Sequence, residues 1–220
     1  FFEKILKQQG IDRSQALLAT AHNANDQVET FLLRIIRGTG LKGLKCIPYQ
    51  RENFIRPLLD FSRKEIEEYL RQENLQYRVD KTNLDSSIDR NFIRLKILPL
   101  MLKLNPNLVE TTVNTVKVIS SDSNLLDDLG LEAYRKAKIE EKNRRIILDR
   151  KKVVTSPLAL QNLVIRIAIS KIDSLTDITY KQLAEVCEII NKGEGNKLKL
   201  LPHSLRITLL SDKIKIEKLK

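Results

Sequence analysis

Thr20-Ala21-His22-Asn23-Ala24-Asn25-Asp26-Gln27-Val28-Glu29-Thr30, continuing through Phe31-Leu32-Leu33-Arg34-Ile35-Ile36 to Arg37-Gly38-Thr39-Gly40, decides how the chain is read. An apolar run, Ala16 to Thr20, precedes it, and the apolar residues that follow fall at Val28, Phe31, Leu32, Ile35 and Ile36. That spacing is one face of a helix, so the order is strand, polar turn, helix. Asn23 or Asn25 suits the helix start through a side-chain oxygen on a first-turn amide, and Gly38 or Gly40 suits its end. The turn then lies at the carboxyl end of a buried strand, where ligands sit in open α/β sheets. Its chemistry is dense. His22 offers a donor or acceptor, Asp26 and Glu29 lie about one turn apart, and Arg37 follows about three turns on from Asp26 on the same face. Two carboxylates so placed hold an ammonium group or a metal ion, or simply complement the helix dipole.

The whole sequence sets the outer bounds. Its 220 residues are 42% hydrophobic and 30% charged, enough for one large or two small domains with cores of their own. A formal net charge of +11 points to a polyanionic partner, with nucleic acid first and an anionic membrane surface second. No apolar run approaches the roughly 20 residues that span a bilayer. Cys46 and Cys187 stand far apart in no metal-type spacing, which suits a reducing compartment, and neither reads as a nucleophile with a partner.

Outward from the central stretch, Phe1 to Gln9 reads as a short amphipathic helix ended by Gly10, and Leu41 to Glu52 as a loop. Phe54 to Pro57 reads as a final short strand, which Pro57 prevents from continuing. Ser62-Arg63-Lys64-Glu65 matches a capping box at the start of a helix reaching about Glu73. Asp80-Lys81-Thr82-Asn83 opens a polar loop of residues that bond their own backbone. Asp89-Arg90-Asn91 opens another helix, with Ile93, Ile97, Leu100 and Met101 as its buried stripe and Arg90 and Arg94 one turn apart. Those two arginines either grip phosphate or pair with Asp89 and Asp85. A long helical pattern from Asn107 to about Lys138 carries a break or cap at Ser121 to Asn124.

The tail reads as a second unit. Arg144 to Arg150 is a strand, Pro157 to Lys171 and Thr179 to Asn191 are amphipathic helices, and Gly193 to Asn196 is a turn. Lys197 to Leu200, Leu205 to Leu210 and Lys213 to Glu217 alternate as strands, the last of them half-exposed. Their lysines either track an RNA backbone or guard a solvated edge.

Five blocks in order carry a resemblance: His22 to Thr30, Arg37-Gly38-Thr39-Gly40-Leu41, Arg56-Pro57-Leu58-Leu59, Asp80 to Asn83, and Asp89-Arg90-Asn91-Phe92-Ile93-Arg94 with Leu98-Pro99-Leu100. Together they resemble the tRNA(Ile)-lysidine synthases of the pyrophosphatase-loop ATPase group, over roughly the first half of the chain. The resemblance implies an α/β fold. Residues 1–105 would be the C-terminal part of a parallel-sheet ATP-binding catalytic domain, 106–140 a helical linker and 141–220 a small α+β domain that recognises tRNA. The family's Ser-Gly-Gly-x-Asp-Ser loop does not occur in these residues, which leaves two expectations: the loop belongs to a longer protein of which this is a part, or the chain is not an autonomous ligase.

The activity implied is ligation. ATP adenylates the ring carbonyl oxygen of the wobble cytidine in an isoleucine tRNA with a CAU anticodon, and the amine of free lysine then displaces AMP. Asp26, His22, Glu29 and Arg94 are the catalytic residues so implied, and Asp26 is a candidate Mg²⁺ ligand. Asn25, Arg37, Gly38, Arg56, Asp80, Asn83, Arg90 and Asn91 would bind ATP or substrate. Where many members carry two histidines this chain has His22-Asn23, and Asn25 replaces a frequent Asp. A homodimer is compatible with the resemblance. The bias towards Ile, Lys, Asn and Leu suits a bacterial cytoplasm or a plastid stroma. Two other classes stay open: a different ATP-dependent tRNA modifier of the same group, and a non-catalytic tRNA-binding module.

Overall fold

A computed structural model describes residues 2–77, 89–192 and 197–219. Two compact units divide within one long helix, Phe1–Ser123 and Asn124–Lys220.

In the first unit, α1 (Phe2–Gln8) ends at Gly10, whose φ of +65° is the left-handed turn glycine favours. Strand β1 (Leu18–Ala19) leads through the polar turn into α2 (Ala24–Arg37), closed at Gly38. A short helix α3 (Leu41–Leu44) occupies part of the stretch read as loop, and β2 (Gln50–Arg51) and β3 (Phe54–Ile55) follow. β1 pairs in parallel with β3, and β2 pairs antiparallel with it, so the described sheet is mixed and runs β1-β3-β2. The capping box at Ser62 and Glu65 starts α4 (Arg63–Gln72) as the sequence predicts.

The next helical segment departs from the 3.6-residue reading. α5 (Asp89–Phe92) passes into a π-helical stretch, Ile93–Ile97, before α6 (Leu98–Leu104). The Leu98 amide bonds the Ile93 carbonyl, an i→i−5 link that rotates every later side chain. The buried positions are therefore Ile93 and Leu98, whereas Leu100, expected inside, is 62% exposed. The expected break at Ser121–Asn124 is also absent: α7 runs unbroken from Leu108 to Ala137, with Ser123 buried.

The second unit packs the end of α7 and three further helices against one sheet. β4 (Lys138–Lys142), a strand not read from the sequence, precedes β5 (Arg145–Asp149). Then come α8 (Arg150–Val154), α9 (Leu158–Ser170), α10 (Tyr180–Lys192), β6 (Leu198–Leu201), β7 (Leu205–Leu209) and β8 (Lys213–Lys218). The sheet is antiparallel in the order β4-β5-β8-β7-β6. β8 is thus central rather than an edge strand. Its Ile214 and Ile216 are fully buried, and Lys215 pairs with Glu217 on the other face. Ile146, Leu148, Leu205 and Ile207 meet Val164, Ile165, Ile169 and Ile190 in one core. The buried Arg150 ties the sheet side of the unit to α10: its Nε and Nη2 donate to the Ile190 carbonyl at 3.0 and 2.6 Å, near the end of that helix.

Candidate functional site

The site grows from the start of α2. Asn23 accepts from the Asn25 and Asp26 amides at 3.0 and 3.3 Å, and Asp26 Oδ2 accepts from the Asn23 amide at 2.9 Å. Asp26 therefore closes a capping box as well as facing the site. Its other oxygen, Oδ1, receives Arg90 Nη2 at 2.7 Å and lies 3.5 Å from Arg94 Nη2. Glu29, one turn on and fully buried, receives Arg90 Nε at 2.7 Å, Arg94 Nε at 2.5 Å and Arg94 Nη2 at 2.9 Å. Two carboxylates and two guanidiniums form one charge-balanced cluster, and the bond to Glu29 holds the Arg94 guanidinium above its ordinary pKa.

The π-helical stretch explains how both arginines reach one carboxylate. Its wider turn brings positions four apart closer to eclipse than an α-helix does, so Arg90 and Arg94 converge on Glu29 from the same side. Neither arginine pairs with Asp89, one of the two alternatives the sequence left open. That residue instead bonds Arg37 at 2.9 Å, an exposed pair beside the other end of α2.

The remaining sequence-predicted residues divide between positioning and linkage. His22 Nδ1 lies 3.0 Å from Thr20 Oγ1, which orients the ring beside the strand end. Asn25 Oδ1 accepts from the Arg63 amide at 2.8 Å, and the Ala24 amide donates to the Phe61 carbonyl at 2.9 Å, so the starts of α2 and α4 are stitched together. Gly38 ends α2 with φ +74°. Arg56 donates to the Pro48 carbonyl at 2.9 Å, away from the acidic pair, and its Nε is buried without a hydrogen-bond partner. Asn91 is buried beside Arg90. Asp80 and Asn83 lie outside the described residues, as does Asp85.

Sequence reasoning missed two features. Gln27, 3% exposed, bonds the Ile47 backbone in both directions, donating from Nε2 at 2.7 Å and accepting at Oε1 at 3.0 Å. A polar residue on the buried side of an amphipathic helix was the available signal. Tyr49 Oη donates to Asp60 at 2.6 Å, and Lys117 bonds the same carboxylate at 2.7 Å. The lysine lowers the pKa of Asp60, and burial and Asp60 raise that of Tyr49. No local pattern joins residues so far apart in sequence.

Asp26 and Glu29 do not suit a magnesium ion in this arrangement. Three of their four oxygens face guanidinium nitrogens and the fourth takes the Asn23 amide, leaving none of the open oxygen ligands that Mg²⁺ requires. Among the described residues no group of three His, Cys, Asp or Glu side chains is placed to hold a metal. No described helix is long and apolar enough to cross a membrane.

A mixed sheet whose polar strand-to-helix turn meets an acidic and basic cluster is an α/β arrangement with its polar groups beyond a strand end. The family comparison agrees: residues 1–101 match the model of the PP-loop domain. Similarity to individual proteins goes further. A tRNA(Ile)-lysidine synthase of Clostridioides difficile strain 630 is 35% identical over 200 residues, covering 90% of this chain and 43% of that protein. Another, of Clostridium perfringens strain 13, is 34% identical over 203 residues, 91% of this chain and 42% of its own length. One from Thermotoga maritima reaches 47% identity over 118 residues, 54% of this chain and 28% of that protein. The chain belongs to the tRNA(Ile)-lysidine synthase family of PP-loop proteins. It spans about two-fifths of the length of the first two relatives.

Proposed function

We propose that the whole protein joins lysine to the wobble cytidine of an isoleucine tRNA with a CAU anticodon, using ATP. The observation that carries this reading is the pairing of Asp26 and Glu29 with Arg90 and Arg94 at the turn after β1, in a chain similar along nine-tenths of its length to lysidine synthases. In the first step the cytidine ring oxygen bonds the α-phosphorus of ATP and pyrophosphate leaves. In the second the lysine amine bonds the ring carbon, that carbon–oxygen bond breaks, and AMP departs with the oxygen. Attack needs a neutral amine, so a nearby group must take a proton; Asp26 or His22 fills that role.

The geometry divides the roles. Glu29, buried and held through both oxygens, fixes Arg90 and Arg94, and the more exposed Asp26 is the carboxylate available to an incoming amine. As an ammonium group approaches Asp26, a guanidinium gives way and becomes available to the negative charge on the departing AMP. Residues 1–105 would then belong to the catalytic domain, 106–140 to the linker and 141–220 to tRNA recognition. A bacterial cytoplasm is the setting that the relatives' sources favour.

The test is incorporation of labelled lysine by the full-length protein into the isoleucine tRNA, beside the same tRNA with its wobble base changed. Label confined to the cytidine-bearing tRNA, and lost in Asp26→Ala, supports the reading. Binding of tRNA without incorporation moves it to a non-catalytic module or another modifier.

A further inference from the structure

A cleft of about 780 Å³ opens on the first unit beside the start of α2, on a flank distinct from the acidic and basic cluster. One wall is the first three turns of α7, where Val109, Glu110, Val113, Asn114 and Lys117 form a continuous helical face. Asn25 and Lys64 line the opposite side, and Leu102 and Pro106 add to an apolar floor. We propose that this cleft binds one unstacked nucleoside of an RNA loop, a neighbour of the nucleotide presented to Asp26.

Four observations argue for that ligand. The volume falls within the roughly 300–1,000 Å³ of small-molecule sites. Second, the charges of the cleft are largely used internally. Asp60 is tied to Lys117 at 2.7 Å and to Tyr49 at 2.6 Å, and Glu65 accepts from the Ser62 amide at 2.7 Å. With Asp60, Glu65 and Glu110 set against Lys64 and Lys117, a run of phosphates would meet no excess of positive charge, whereas a base would meet amides and the carboxylate of Glu110. Third, those groups suit base edges: Glu110 accepts from an exocyclic amine or ribose hydroxyl, and Asn114 offers both donor and acceptor. Asn25 uses its oxygen on the Arg63 amide, so its amide nitrogen is the donor it presents. Fourth, unpaired loop bases are read by stacking on flat or apolar surfaces together with hydrogen bonds to their edges, and Leu102, Val109 and Val113 supply the apolar surface here. The location adds a consequence. Asn25 and Asp26 are consecutive in one helical turn, so a nucleoside held in the cleft sets the register of the loop against the reacting carboxylate.

This inference rests on the ligase reading and deepens it. The experiment uses the full-length protein and an anticodon stem-loop RNA carrying 4-thiouridine at one loop position at a time, with irradiation and peptide mapping. One position flanking the wobble base is expected to crosslink within residues 105–117 or 60–65. Asn114→Leu and Glu110→Gln, both at exposed positions that folding tolerates, are expected to weaken stem-loop binding about three- to tenfold, the weight of one hydrogen bond. ATP affinity is expected to stay unchanged in both. Normal lysine incorporation with crosslinks from every loop position falling elsewhere overturns the cleft assignment alone. So does wild-type stem-loop affinity in both variants. A wild-type protein that binds no stem-loop and incorporates no lysine overturns the ligase reading and this inference together.

Discussion

Arg94 grips Glu29 in bidentate fashion, Nε on Oε1 at 2.5 Å and Nη2 on Oε2 at 2.9 Å, and Glu29 is wholly removed from solvent. Removing one partner of such a pair strands the other, and the cost of an uncompensated buried charge is about 3–5 kcal/mol. Arg90 remains on Glu29 when Arg94 is lost, so Arg94→Ala should fall at the lower end, about 3 kcal/mol, in urea unfolding. Arg94→Lys should recover only part of this, because a single ammonium cannot reproduce the fork. Equal stability of Arg94→Ala and the wild type would refute the load placed on this pair.

A second expectation concerns the stitched helix starts. Asn23→Ala removes the acceptor for two α2 amides and should cost about 1 kcal/mol, as should Ser62→Ala in α4. Asn25→Ala acts on both elements at once, since its oxygen takes the first amide of α4. Hydrogen exchange should accelerate at Arg63 in that variant while the middle of α2 stays protected.

The Asn23 and Ser62 caps were legible in the sequence because they are local, an oxygen three residues or fewer from the amide it serves, whereas the Asn25 bond to the Arg63 amide is not. The order of strand, turn and helix around His22 was legible for the same reason, as were α9 and α10 from their apolar spacing, but β1 is not the buried strand expected: Leu18 is half-buried and Ala19 exposed. What could not be read was set by contacts across the chain. The π-helical stretch at Ile93–Ile97 breaks the period on which the Leu100 expectation depended, and it exists where two arginines reach a helix some 60 positions earlier. β8 looked like an edge because lysines alternate with isoleucines. In the sheet, Glu217 pairs with both Lys215 and Arg206, so those charges cover a central strand instead. Arg90 and Arg94 were visible as a pair, but their partners were not.

The second unit should show an acid-sensitive anchor. Glu141 accepts from Lys171 at 2.8 Å, Lys138 at 2.9 Å and the Tyr134 hydroxyl at 3.0 Å, and the lysine bonds above all push its carboxyl down to about 2. A depressed folded pKa contributes stability that is fully present above the ordinary value of about 4.5 and is lost as pH falls towards 2. Glu141→Gln should therefore melt below the wild type at pH 6, and the gap should close between about pH 4.5 and 2. A gap that is constant over that window would refute the assignment.

Both thiols should be inert in the folded protein. Burial pushes Cys46 and Cys187 up to about 11, so at pH 8 roughly one thiol in a thousand is ionised. Cys187 has no exposed surface, and its alkylation should follow the opening rate of the second unit rather than reagent concentration. Denaturant should make both label rapidly; fast labelling of Cys187 in native buffer would contradict its place on the buried face of α10.

Gly130 marks a close approach between α7 and α9. A Cβ built on Gly130 of α7 would stand 2.9 Å from Leu163 Cβ and 3.2 Å from its Cδ1, on α9. In an open helix Gly→Ala is stabilising by up to about 1 kcal/mol, because glycine sacrifices more backbone freedom. Here the opposing atom is a Cβ, fixed to the backbone of α9, so rotation of the leucine side chain cannot relieve the clash and the helices must separate. Overpacking of that kind costs about 1–3 kcal/mol, which exceeds the propensity gain. Gly130→Ala should consequently lower stability by about 1 kcal/mol, and Gly130→Ala with Leu163→Ala should lose less than the two single changes summed. Additive losses in that cycle would mean that the glycine is retained for a reason other than its contact with Leu163.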